Sequence, residues 1–250
     1  MTSLNQFSKI NNKDGIMKNK SFQIFSRNQL KTHARDIAVS VRLDGICYIT
    51  GFEDEIQKCV AEFNRLKLND EGTVNILSKQ NQRIEAPKIN SILNSSEFNS
   101  VKRKLLGFFC RNAIETFVQS TGKTNKPASG DLHFDKRRTV KVWAYLDDVS
   151  VDHGAMRVVP RTEKEVLSSA YVRANLSKAQ LRDRKNNSHY PEAAMSKSLE
   201  TLAQPVTGEM GTLFIHDTDA WHGASPVIGK NIRKIVRAHN RPLKDLFRRG

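Results

Sequence analysis

The chain has 250 residues, 38% of them hydrophobic and 27% charged, with a formal net charge of +15 at pH 7. That length suits one substantial domain with a sizeable core, and with no run of about 18 apolar residues a transmembrane helix is excluded. The first residues lack the apolar stretch of a secretory signal, and Cys47, Cys59 and Cys110 are odd in number and set in apolar context. They read as buried reduced thiols, and the expected compartment is the cytoplasm.

The positive excess is uneven. Residues 1–42 carry eight Lys/Arg against two Asp/Glu, and residues 230–250 carry eight against one. Such blocks read as solvated or mobile ends. Two other readings stand beside that one: attraction of a small acidic substrate such as a CoA thioester, phosphate or carboxylate, and contact with nucleic acid.

Residues 1–20 are polar, basic and rich in Asn and Lys, which predicts a flexible arm before a single domain over 21–250. Ser26 is a candidate N-cap for a helix in which Leu30, Ala34, Ile37, Ala38 and Val41 follow helical spacing. Gly45 ends that helix before a strand at Ile46-Cys-Tyr-Ile-Thr50. A second helix follows, with an acidic first turn and Ile56, Val60, Phe63 and Leu66 on one stripe. Thr73-Val-Asn-Ile-Leu77 predicts a short strand, and a long amphipathic helix is predicted from Ser96, as N-cap, to Thr121.

From residue 130 onward the pattern is that of strands. Thr139-Val-Lys-Val-Trp-Ala-Tyr-Leu146 is rich in β-branched and aromatic residues and alternates. Asp147 to Gly154 reads as a turn and Ala155-Met-Arg-Val-Val-Pro160 as a further strand. Residues 163–204 interrupt the pattern and read as either a lid beside a site or a plain surface excursion. Thr212-Leu-Phe-Ile-His216 and Asn231 to His239 predict the last strands, with Arg233, Ile235 and Arg237 on one face.

His133-Phe134-Asp135 is the chemically pointed stretch. Residues i and i+2 of a strand share a face, so this imidazole and carboxylate can converge on one metal ion. A histidine from a distant strand would complete a two-His-one-carboxylate set, which leaves coordination positions open and suits non-haem Fe(II) oxygen chemistry. Both His216 and His222 are candidates for the third place. Arg233 lies eleven residues after His222 and could take a carboxylate in a bidentate pair. Trp143 and Tyr145 share a strand face and could line either a cavity or an outer packing layer. Lys136, Arg137 and Arg138 could meet an acidic substrate or form a solvated rim.

The run His133-x-Asp135, Trp143-Ala-Tyr-Leu-Asp-Asp148, Gly154-Ala-Met-Arg-Val-Val-Pro160, His222-Gly-Ala-Ser225 and Arg233 resembles the phytanoyl-CoA dioxygenase family of Fe(II)/2-oxoglutarate oxygenases, with a weaker echo at Asp44-Gly-Ile-Cys-Tyr-Ile-Thr-Gly51. The resemblance implies a double-stranded β-helix (jelly-roll) core flanked by N-terminal helices. It implies His133, Asp135 and His222 as iron ligands, and Arg233, with Ser225 and Trp143 nearby, at 2-oxoglutarate. The implied activity is hydroxylation of an unactivated C–H bond of a small metabolite, consuming O2 and releasing succinate and CO2. A carboxylate at Asp135 speaks against the related halogenases, which resemble this pattern but carry a small residue there. Rival readings are a nucleic-acid-modifying oxygenase, a non-catalytic β-barrel binding module, and a cupin-like metal enzyme that uses no 2-oxoglutarate.

Overall fold

The computed structural model describes residues 22–65, 74–76, 87–107, 110–121, 131–135, 138–161, 188–189 and 199–242, with the backbone alone for 74–76, 110–121 and 188–189. The expected arm at 1–20, Leu66, Lys136, Arg137 and most of the 163–204 insertion lie outside these residues. None of the described helices is long and apolar enough to cross a membrane.

The chain enters through Ile24–Ser26 (β1), which runs parallel to Ile46–Thr50 (β2). Between them lie Gln29–Thr32 (α1) and Ala34–Asp44 (α2). Leu30, Ala34, Ile37, Ala38 and Val41 are all buried, as their spacing requires. Ser26 does not cap the helix: it pairs with Thr50 at the end of β1, and its backbone N–H and hydroxyl both donate to Gln29 Oε1. An extended sheet residue cannot also hold the cap position two residues further on. Gly45 ends α2 in the left-handed region at φ 80°, and a Cβ there would meet the Ala220 Cβ at 2.5 Å. Only glycine satisfies both conditions.

Glu53–Arg65 (α3) keeps its acidic first turn and buries Ile56 and Phe63. Val74–Ile76 (β3) is the short strand expected there, and Pro87–Leu93 (α4) follows. The predicted helix from Ser96 to Thr121 is corrected by the structure. Ser95, not Ser96, accepts the Glu97 N–H and opens a 3-10 turn at Ser96–Phe98, which leads into Asn99–Leu106 (α5). Gly107, at φ 94°, stops that helix, and Cys110–Thr121 is a strand (β4). The apolar spacing beyond Leu106 is compatible with either state, and Ile114, Thr116, Val118 and Thr121 are β-branched. Pairing on both edges of β4 decides in favour of the strand.

The remaining strands are Phe134–Asp135 (β5), Val140–Tyr145 (β6), Met156–Val158 (β7), Ser188–His189 (β8), Gln204–Val206 (β9), Leu213–Asp217 (β10), His222–Ala224 (β11) and Ile232–Pro242 (β12). Seven strands form the major sheet in the order β1-β2-β10-β6-β12-β4-β3; β11-β7-β9 form a second sheet, and β5 pairs with β8. Apart from β1–β2, the pairs are antiparallel.

Alternation sorts the major sheet into two faces. Val140, Val142, Ala144, Ile215, Val236 and Ala238 pack outward against the helices. Trp143, Tyr145, Phe214 and Ile235 face inward against Met156, Val158 and Val206 of the three-stranded sheet. All six residues of β6 are therefore buried, because both faces of that strand are covered. Lys141, one step along the inner face from Trp143, is buried with them.

Candidate metal centre

The centre is built on a small apolar cluster of Leu132, Phe134, Val159, Leu199 and Trp221. Phe134 and Trp221 meet edge to face with ring centroids 4.7 Å apart. Burying Leu132 and Phe134 on one side turns His133 and Asp135 to the other, and anchoring Trp221 does the same for His222. The backbones then lock: His133 N donates to His222 O at 2.9 Å, and His222 N donates to His133 O at 2.8 Å. Their rings lie 4.5 Å apart between centroids. One ligand atom from each of His133, Asp135 and His222 lies within 4.8 Å of the other two, so these three side chains can hold a metal ion.

The tautomers suit that role. His133 Nδ1 lies 2.9 Å from Asp131 O, and His222 Nδ1 lies 2.9 Å from Ala220 O. A carbonyl only accepts, so each Nδ1 carries the proton and each Nε2 keeps its lone pair. Backbone carbonyls that orient metal-ligating imidazoles in this way are common. Burial lowers both pKa values, and His133 and Lys141 add to the effect at His222, which falls to about 3. Both rings are therefore neutral at physiological pH. Burial alone would push the Asp135 carboxyl up, but Lys141 and His222 hold it well below the usual carboxylate range. Asp135 Oδ2 takes Lys141 Nζ at 3.0 Å, while Oδ1 faces His222 Nε2 at 3.7 Å. Two neutral imidazoles and one ionised carboxylate, each tied by a second contact, fit a divalent iron ion.

His216, the other candidate, sits behind His222 with centroids 4.5 Å apart and is fully buried. Neither of its nitrogens has a hydrogen-bond partner among the described residues. Burial, with His222 and Lys141, holds its pKa well below the ordinary value.

The cofactor candidates occupy other parts of the same interior. Arg233 is 4% exposed and donates from Nη1 to Gly154 O. Ser225 is buried beside it: its N–H donates to Ala155 O, and its carbonyl would lie 2.8 Å from a Cβ at Gly154. Trp143 is stacked on Phe214 at 5.5 Å, meets the His216 ring at 6.4 Å between centroids, and is covered by the Arg237 guanidinium, whose carbon is 5.2 Å from the ring centroid.

The basic C-terminal run is thus not merely a solvated end, since Arg233 and Arg237 project from β12 into the interior. Arg138, whose sequence left open either an acidic substrate or a solvated rim, pairs with Asp217 at 2.7 Å. Lys141 was the residue that sequence reasoning missed. The available signal was a lysine two positions before Trp143 on an otherwise apolar strand face.

Three comparisons place this geometry among known proteins. A profile of the phytanoyl-CoA dioxygenase (PhyH) family matches residues 43–235. No curated protein matches the chain. Among solved structures, the epimerase SnoN in complex with Fe3+, alpha-ketoglutarate and nogalamycin RO is similar at TM-score 0.60 and 14% identity, with 84% of each chain covered. HygX from Streptomyces hygroscopicus, with nickel and 2-oxoglutarate bound, gives TM-score 0.57 and 15% identity over 84% of this chain and 87% of that one. The carbocyclase SnoK from nogalamycin biosynthesis gives 0.57 and 18% over 83% of each. At these identities the structural likeness speaks for the fold, a jelly-roll core, as the sequence pattern implied. The family profile spans well over half of the sequence, and the chain belongs to the phytanoyl-CoA dioxygenase (PhyH) family of non-haem iron, 2-oxoglutarate-dependent enzymes.

Proposed function

We propose that this enzyme hydroxylates an unactivated C–H bond of a small molecule, with 2-oxoglutarate as co-substrate and succinate and CO2 as by-products. The observation that carries this reading is the convergence of two neutral imidazoles and one carboxylate within 4.8 Å in the same interior as the buried Arg233. Iron with 2-oxoglutarate, when bound, supplies the oxidation by coupling decarboxylation of the oxo acid to transfer of one oxygen atom from O2.

The chain's own residues do the rest. His133, Asp135 and His222 would hold the iron through two imidazole nitrogens and one carboxylate oxygen. Lys141 fixes one Asp135 oxygen and so leaves the other to face the metal position. Arg233, braced on the Gly154 carbonyl, would receive the distal carboxylate of 2-oxoglutarate, with Ser225 and Trp143 as the neighbouring candidates. Trp143, Tyr145, Phe214 and Ile235 line the inner face with apolar surface that excludes water from the reacting atoms. Asp135 favours hydroxylation over halogenation, because its carboxylate occupies a ligand position that a halide would need.

In this reading one oxygenase domain covers 21–250, and the 163–204 insertion is either a lid or a surface excursion beside the site. The backbone pairing of β8 with β5, Phe134 opposite His189, supports the nearness of residues 188–189 to the site. The buried free thiols of Cys47 and Cys59 support a reducing, cytoplasmic setting.

The test is succinate release from Fe(II)-loaded enzyme in air, with Asp135→Ala beside the wild type. Iron-dependent succinate that disappears with Asp135 supports the reading. Undiminished succinate with iron retained in the variant removes Asp135 as a ligand and the reading with it.

A further inference from the structure

The inner face of β12 carries a second arginine besides Arg233. Arg237 lies four residues after Arg233 on the same face, in register with Trp143 of β6. Its guanidinium rests over the Trp143 ring at 5.2 Å from the centroid, so its direction is fixed by stacking. Its Nε is buried without a hydrogen-bond partner, and no carboxylate among the described residues lies within ion-pair distance of it. The carboxylate that acts on it, Asp135, is already held by Lys141 at 3.0 Å. Burial lowers the Arg237 pKa to about 10, with Arg233 adding to the effect and Asp135 opposing it.

Charge balance extends the argument. Among the described residues, Arg237 and Lys141 both act on one carboxylate, Asp135, while the histidines beside it are neutral. Asp217, the other buried acid nearby, is taken by Arg138 and Arg161 at 2.7 and 3.3 Å. A divalent metal and dianionic 2-oxoglutarate cancel each other, so among the described residues Arg237 keeps its charge with no acid of its own, Asp135 being held by Lys141. A buried cation left unpaired is costly, and a planar guanidinium fork suits an oxyanion in bidentate geometry.

We propose that Arg237 anchors the substrate by an acid group, a carboxylate or a phosphate, so that this pocket oxidises anionic small molecules. The proposal rests on the iron and 2-oxoglutarate reading of the site. It assigns the two arginines of β12 different ligands: Arg233 the co-substrate and Arg237 the molecule to be oxidised.

The experiment uses the full chain loaded with Mn(II), which holds the site without turnover, and saturated with 2-oxoglutarate. Hexanoate, hexyl phosphate and the neutral isostere hexanamide are titrated by calorimetry and by tryptophan fluorescence into wild type, Arg237→Met and Arg237→Lys. The wild type is expected to bind at least one of the two acids about tenfold or more tightly than the amide, the difference that a charge-assisted hydrogen bond supplies. Arg237→Met should lose that preference, Arg237→Lys should keep part of it, and 2-oxoglutarate affinity should change by less than about twofold in either. The ratio of hexanoate to hexyl phosphate identifies the acid. Equal binding of acid and amide by the wild type, no acid binding, or a preference that survives in Arg237→Met overturns the proposal alone. A large loss of 2-oxoglutarate affinity in Arg237→Met also overturns it, by moving Arg237 to the co-substrate. Wild type that binds neither Mn(II) nor 2-oxoglutarate overturns the underlying reading as well.

Discussion

His133 and His222, far apart in sequence, exchange both of their backbone hydrogen bonds, at 2.9 and 2.8 Å, and place their rings 4.5 Å apart. Directly opposed residues of an antiparallel pair put their side chains on the same side. Two ligands are therefore positioned by main-chain geometry, and Asp135 joins them by the two-residue period of its strand.

Removing one ring from this pair should empty the site without unfolding the protein. His222→Ala is expected to reduce bound iron from one equivalent to near zero and to cut succinate release by more than about a hundredfold. Metal analysis after gel filtration checks it. Iron retained at full occupancy would mean that His216 can take the place of His222.

Lys141→Met tests the charge next to the centre. In the metal-free protein it leaves the half-buried Asp135 carboxylate without its 3.0 Å partner, and breaking a largely buried pair in this way costs up to about 3–5 kcal/mol. A divalent metal should restore most of that loss, because it supplies the missing positive charge. Urea unfolding with and without Mn(II) reads both halves, and an equal deficit in the two conditions would contradict the assignment.

Gly154 is where the turn and the co-substrate arginine meet. It sits at φ 76°, and a Cβ would lie 2.8 Å from both Ser225 O and Val227 Cγ2. Gly154→Ala should cost about 1–3 kcal/mol and shift the carbonyl that Arg233 holds, weakening 2-oxoglutarate binding more than metal binding. Parallel titrations of the two ligands distinguish this from general loosening, which would weaken both alike.

Stability of the metal-free protein should depend on pH through the buried imidazoles. Their folded pKa values are lowered, to about 3 for His222, from an ordinary 6.5. Between those values the unfolded chain binds protons that the folded chain does not. For His222, stability is therefore full above about 6.5 and falls as pH drops toward 3, by roughly 1.4 kcal/mol per pH unit, and His133 and His216 act in the same direction. Denaturant midpoints from pH 7 to pH 4 measure it; a flat profile would show that the rings titrate normally.

The legible parts of this protein were those in which local period fixes the outcome. His133-x-Asp135 could be placed on one strand face from spacing alone, and Gly45 marked the end of α2. The segment 110–121 was misread because its apolar residues fit helical spacing as well as a strand, and only its pairing with β12 and β3 decides. Lys141 and Arg237 carry meaning that no window of sequence contains. The first depends on Asp135 approaching from another strand, and the second on Trp143 lying opposite it. Counting charge by chain segment assigned Arg233 and Arg237 to a solvated end, although strand alternation turns both inward.

The most direct test of the central claim is anaerobic titration of Fe(II) and then 2-oxoglutarate into wild type, His222→Ala and Arg233→Ala, followed by visible absorption. Chelation of Fe(II) by the oxo acid should give a charge-transfer band in wild type. That band should be absent in His222→Ala and appear in Arg233→Ala only at about tenfold or more higher 2-oxoglutarate. Iron binding with no 2-oxoglutarate-dependent band, or a band indifferent to both substitutions, would contradict the account.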